Sequence, residues 1–319
     1  MAAPPPRPTA TGIAYRRAEA DDLVACAGIW RDSINDYTRR LNQPDIPDDL
    51  AAILRLYGHL HATDPEGFVV AERAVDGGPP VVVAFAASVR REELWFLSML
   101  FVLPDVQAVG LGRALLAKVM PSPGTAALAT CTDSAQPISN ALYASLGMTP
   151  RMPLVRLVGL PERDDHLPAL PRGISAVPFG ELDGPAAAHL DDELAALDRA
   201  TAGFGHLQDH GLVRAEGRIG VLFVDGGGQA VGYGYASEAG RVGPVAMLDP
   251  ELLAPAIGHL VTTIVPRGAF GIWMPGAAGV AMTALLRSGF RMDGFPCLVC
   301  WDRPLADFSR YVPISPGLL

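Results

Sequence analysis

An order of elements that is written out twice limits what this chain can fold into more than any other feature. Residues 13–157 carry helix-type and strand-type hydrophobic periods in the order β-α-α-β-β-β-α-β-α-β-β, and the same order follows from residue 174. Leu23, Ala27, Trp30 and Ile34 recur at helical spacing in 21–37, as do Leu50, Ile53, Leu54 and Tyr57 in the next helix. Hairpin turns are signalled at 76–78 and 226–228, and 94–103 is apolar almost throughout, as a strand covered on both faces requires. Between the repeats, 161–171 is rich in Pro and charge and lacks apolar periodicity. The expectation is an α/β chain of two domains, 1–160 and 161–319, each a mixed, mostly antiparallel twisted sheet flanked by helices.

Half of the 319 residues are apolar and 18% are charged, which excludes an intrinsically disordered chain. No apolar run approaches the ~18 residues of a membrane span. Residues 1–10 are Pro- and Ala-rich without the apolar centre of a secretory signal, so a cytoplasmic protein is expected, with no membrane partner. A net charge of −9 would repel phosphate backbones and argues against a nucleic-acid partner. No metal is expected. His59 and His61 lie two apart and diverge on a helix, and Cys297 and Cys300 sit in an apolar run that reads as a core strand.

Chemistry concentrates where the buried strand ends at Pro104 and a turn enters a helix with Gly110 and Gly112 in its first turn. Glycines there let the backbone approach a ligand, and the unpaired N–H groups at a helix start favour an anion. The run Gln107-Ala108-Val109-Gly110-Leu111-Gly112-Arg113 after a Val-x-Pro, followed by Asn140-x-x-Tyr143-x-x-x-Gly147-Met148, resembles the GNAT N-acetyltransferase superfamily. Both the element order and the place of the motif after the fourth strand agree with that family. The resemblance implies a tandem GNAT-like chain whose first domain, 1–160, binds acetyl-CoA. Residues 107–113 would hold its diphosphate, the backbone of Phe101 and Val102 would pair with the pantetheine and polarise the thioester, and Asn140 would bind the pantetheine arm. Tyr143 would be the general acid for the leaving thiolate.

The reaction so implied is direct attack of a primary amine, on a small molecule or a protein, with acetyl-CoA as co-substrate. Many family members carry a Glu eleven residues before the Gln of the motif; here that position is Phe96. An alkyl ammonium of pKa ~10.4 must lose a proton before it attacks. Glu92 or Glu93 acting through water is the expected base. Trp30 and Tyr37, on the first helix, are expected to wall the acceptor. In the second domain, 161–319, Asp249 and Glu251 stand where the phosphate loop would be, so it is expected to be a degenerate copy. Two alternatives stay open: an enzyme of thiol metabolism like the mycothiol synthases, and a non-catalytic acyl-CoA-binding regulatory module. A homodimer is also left open.

Overall fold

The computed structural model describes residues 12–107 and 110–319. Residues 1–10, read above for a leader, lie outside the described residues. The chain divides into two compact units, the first ending at Arg90 and resuming over Trp95–Ala126, the second comprising Arg91–Leu94 and Ala127–Leu319.

The first unit runs β1 (Ile13–Arg17), α1 (Leu23–Arg40), α2 (Ala51–Thr63), β2 (Phe68–Arg73), β3 (Val81–Arg91), β4 (Leu94–Val102) and α3 (Leu111–Val119). Its sheet order is β1-β2-β3-β4, antiparallel where β1 meets β2 and β2 meets β3. A reciprocal capping box between Glu19 and Asp22 closes the 3-10 turn Ala20–Asp22 that leads into α1, and Arg16 grips the Asp22 carboxylate at 2.6 and 2.9 Å. Tyr57, Phe68 and Phe85 form the aromatic centre of the core, with Phe101 stacked on Phe85 at 5.8 Å. The apolar run at 94–103 becomes β4, buried from Leu94 to Met99 as its composition requires.

The second unit continues with β5 (Ala127–Asp133), α4 (Pro137–Ala144), β6 (Thr149–Gly159), β7 (Ser175–Pro178), α5 (Gly184–Ala188), α6 (Leu190–Thr201) and α7 (Leu207–Ala215). Then come β8 (Ile219–Val224), β9 (Ala230–Ala236), β10 (Arg241–Met247), α8 (Leu253–Thr263), β11 (Phe270–Pro275), α9 (Gly279–Ser288), β12 (Arg291–Met292), β13 (Cys297–Trp301) and β14 (Tyr311–Val312). Its strands order as β5-β13-β6-β11-β10-β9-β8-β7, with β12 beside β6 and β14 beside β10.

The units do not coincide with the halves 1–160 and 161–319. β13, from near the C-terminus, lies between β5 and β6 and pairs antiparallel with both, and β6 then pairs with β11. Backbone hydrogen bonds thereby tie 127–159 to the C-terminal elements. The helical stretch over 184–201 is interrupted at His189, which caps α6. As expected, Cys297 and Cys300 lie on a strand; both are free thiols, with Cys300 fully buried.

Gly240 ends the β9–β10 turn at φ +81°, and a Cβ there would collide with the backbone carbonyl oxygen of Ala269. Left-handed strain and a backbone clash act together at this position. Gly240→Ala should therefore destabilise the protein by at least about 2 kcal/mol in urea unfolding. An unchanged midpoint would contradict the close approach.

Candidate active site

In the first unit the end of β4 and the start of α3 form one hydrogen-bonded device. Pro104–Val106 makes a single 3-10 turn, after which Gly110 starts α3 at φ 86°, a left-handed backbone that favours glycine. Gly110 is exposed, and a Cβ built on it meets no atom within 4 Å. Among the described residues the first intrahelical bond runs from the Ala114 N–H to the Gly110 carbonyl at 3.0 Å, and the N–H groups of Leu111 and Gly112 stand at the head of the first turn. Leu111 anchors that turn in a cluster with Val83 and Val106. Ala108 and Val109, which the sequence places in the same loop, lie outside the described residues.

Gln107 does not reach outward. Its side-chain Nε2 donates to the Val102 carbonyl at 3.0 Å and so closes the loop onto the end of β4. Ser33 Oγ donates to the same carbonyl at 3.0 Å. Both lone pairs of that oxygen are used. The sequence reading, which gave Val102 a backbone role toward a ligand, is thus narrowed to its N–H.

Trp30 and Tyr37 are half-buried on α1, and Ser33 lies between them at helical spacing on the same face. The Ser33 bond therefore turns that face toward the end of β4. Asn35 Oδ1 accepts from the Ile46 N–H at 2.8 Å and orders the connection that follows α1.

Asn140 and Tyr143 lie on α4 in the second unit, one helical turn apart. Asn140 Nδ2 donates to the Asp133 and Gln136 carbonyls at 3.1 and 2.8 Å, while its Oδ1 is buried and has no hydrogen-bond partner among the described residues. An orphaned buried acceptor calls for a donor from a ligand or a water. Tyr143 is 5% exposed, and burial pushes its hydroxyl well above the usual phenol range, with the Cys300 and Cys131 thiols adding to the shift. The group stays protonated at neutral pH.

Of the two expected bases, Glu92 occupies a left-handed turn position at φ 51° and is paired with Arg199, whose Nε donates to its Oε1 at 2.7 Å. That hydrogen bond, against a smaller opposing effect of burial, holds the Glu92 carboxyl below its ordinary value. A carboxylate so held is a poorer proton acceptor. Glu93 is exposed, and its backbone carbonyl accepts from Ala127 N–H at 2.7 Å. Phe96, where many relatives of the motif carry Glu, is buried in the core.

The segment that follows β10 carries no glycine turn like the one before α3. At its counterpart helix start, Asp249 Oδ1 accepts from the Glu251 N–H at 2.9 Å, so the chain's own carboxylate occupies the anion position. β10 pairs with β11 only at Arg241 and Val242 and then diverges. The opening is filled by β14, which pairs with β10 at Val245 and Ala246.

The sequence reading missed a buried polar cluster in the second unit. Asp198 on α6, His206 and His210 at the start and first turn of α7, and Asp209 are all fully buried. Asp198 accepts from the Tyr233 hydroxyl at 2.5 Å and faces His206 Nε2 at 3.2 Å and His210 Nε2 at 3.1 Å. Burial alone would raise the Asp198 carboxyl, but the two imidazoles outweigh it and hold it well below the usual range. Asp209 is clasped by Arg91 through two 2.7 Å bonds. The signal available in the sequence was the i, i+4 spacing of His206 and His210.

No helix among the described residues is long and apolar enough to cross a membrane. The acetyltransferase (GNAT) family matches residues 20–148, and no curated protein sequence matches the chain. Among solved structures, a putative acetyltransferase from Pyrococcus horikoshii is similar at 13% identity over 97% of this chain and 96% of that one, with a TM-score of 0.72. A GCN5-related N-acetyltransferase from Sphaerobacter thermophilus aligns at 16% identity over 95% and 100%, with a TM-score of 0.59. A tandem GNAT protein from the clavulanic acid biosynthesis pathway aligns at 17% identity over 92% and 99%, with a TM-score of 0.51. At these identities the likeness is one of fold, and it spans both repeats. Residues 20–148 of this chain belong to the GNAT acetyltransferase family.

Proposed function

We propose that the chain transfers an acetyl group from acetyl-CoA to a primary amine by direct attack, and that the first repeat, 1–160, carries the reaction while the second, 161–319, is a degenerate copy. The observation that carries this reading is the exposed left-handed Gly110, which starts α3 and leaves the amides of Leu111 and Gly112 at the head of its first turn. These amides, with the positive end of the helix dipole, suit a diphosphate. The orphaned Asn140 Oδ1 suits an amide N–H of a pantetheine arm.

Acetyl-CoA, when bound, supplies the acyl group as an activated thioester. The chain's own groups do the rest. The donor that polarises the carbonyl under attack is a backbone N–H at Phe101 or Val102, and that of Val102 lies on the side away from β3. Tyr143, kept protonated by burial, gives its proton to the departing thiolate. Water relayed to Glu93 accepts the ammonium proton, since Glu92 is engaged by Arg199. Trp30 and Tyr37 provide an aromatic wall on the acceptor side.

Thiol release from acetyl-CoA over a panel of amines, with Tyr143→Phe beside the unaltered protein, tests the reading. Loss of the acid should lower kcat by about 100-fold or more while leaving CoA affinity unchanged. An unchanged kcat would remove Tyr143 from the chemistry. If CoA binds and no amine stimulates release, the chain is an acyl-CoA-binding module instead.

A further inference from the structure

The buried cluster of the second unit holds two carboxylates and one permanent cation. Asp209 is matched by Arg91, whose guanidinium meets both carboxylate oxygens at 2.7 Å. Asp198 meets no guanidinium: its hydrogen-bond contacts are two imidazoles, the Tyr233 hydroxyl and the His206 N–H. A fully buried carboxylate calls for a paired cation.

Asp198 stands at coordination spacing from each imidazole, and the two rings lie stacked with their centroids 4.9 Å apart. Its two oxygens lie 3.2 Å from His206 Nε2 and 3.1 Å from His210 Nε2, and one donor atom from each of the three residues lies within 4.8 Å of the others. A tetrahedral ion with bonds of about 2.0–2.1 Å separates its ligand atoms by about 3.3 Å. The Tyr311 hydroxyl, 3.3 Å from His206 Nε2, stands at the same spacing.

Outer partners are in place as well. His210 Nδ1 meets the Tyr235 hydroxyl at 2.9 Å, and His206 Nδ1, which has no hydrogen-bond partner among the described residues, lies 3.9 Å from Asp209 Oδ2. Metal-bound imidazoles are typically oriented by such groups on the far nitrogen. Two imidazole nitrogens and one carboxylate suit a borderline divalent ion such as Zn2+.

We propose that Asp198, His206 and His210 ligate a divalent transition-metal ion, Zn2+ by donor set, with the Tyr311 hydroxyl in the fourth position. The ion joins α6 and α7 to β14, the strand that closes the second repeat. Its role is structural and independent of acetyl transfer.

The test is titration of the chelator-stripped full chain with Zn2+ and with Co2+. One equivalent should bind, Co2+ should show the intense visible bands of a four-coordinate ion, and thermal stability should rise on addition. His210→Gln and Asp198→Asn should bind none, while the exposed-imidazole variant His166→Gln should still bind one. Absence of stoichiometric binding by the stripped chain overturns the proposal, as does binding that survives His210→Gln. Should that variant fail to fold, the unaltered chain decides: weak six-coordinate Co2+ bands alone overturn it.

Discussion

Replacing Arg91 by Met should destabilise the protein by about 3–5 kcal/mol, the range for removing one partner of a buried ion pair. Arg91 is 2% exposed and Asp209 is 0% exposed, so water does not reach the carboxylate left behind. The penalty is the desolvation of Asp209 without its two charge-assisted bonds, more than the loss of the pair's attraction. Native domains have only about 5–15 kcal/mol to lose, so the urea midpoint should move well outside experimental error. Arg91→Met combined with Asp209→Leu should recover most of the loss, because an apolar pair of similar volume needs no counter-charge. If the single variant falls within about 1 kcal/mol of the parent, the pair is solvated in solution and the buried cluster is not as described.

Why this pair was invisible in the sequence, while the glycine turn was plain, follows from how far each feature reaches along the chain. The turn at 107–113 is local: Val-x-Pro, Gln107, Gly110 and Gly112 set its conformation within a few residues, and the structure has Gly110 at φ 86° where that spacing calls for a glycine. β4 was equally legible, since its continuous apolar run can only be buried on both faces. Arg91 and Asp209, by contrast, are 118 residues apart. Nothing in an isolated Arg or Asp tells whether tertiary packing will bury it. Asp198, His206, Tyr233 and Tyr311 come from four segments for the same reason, and only the i, i+4 imidazoles hinted at them.

Strand pairing shows the same division. The apolar run that becomes β13 was read as a strand, but its place between β5 and β6 is a choice among partners that period-two patterning does not encode. β14 has two residues and no period at all, yet it decides that the opening beside β10 is closed. At Gln107 the side chain turns back to the Val102 carbonyl, which Ser33 of α1 shares, a tertiary contact that the local motif does not encode.

Replacing Gly110 by Val should weaken CoA binding by at least about 100-fold in calorimetric titration. A β-branched residue is a genuine outlier at positive φ, with strain of about 1–3 kcal/mol, so the turn would leave the left-handed region. The amides of Leu111 and Gly112 would then swing away from a common point. Two lost hydrogen bonds to a charged group are worth about 3 kcal/mol or more, which is the 100-fold stated. Stability should fall by no more than that strain, because Gly110 is exposed and its added Cβ meets no described atom within 4 Å, so no clash adds to it. Asp249→Ala, at the counterpart turn that already carries its own carboxylate, should leave CoA affinity as it was. An undiminished affinity in Gly110→Val, or a loss confined to Asp249→Ala, would move the diphosphate away from α3 and with it the assignment of acetyl transfer to the first repeat.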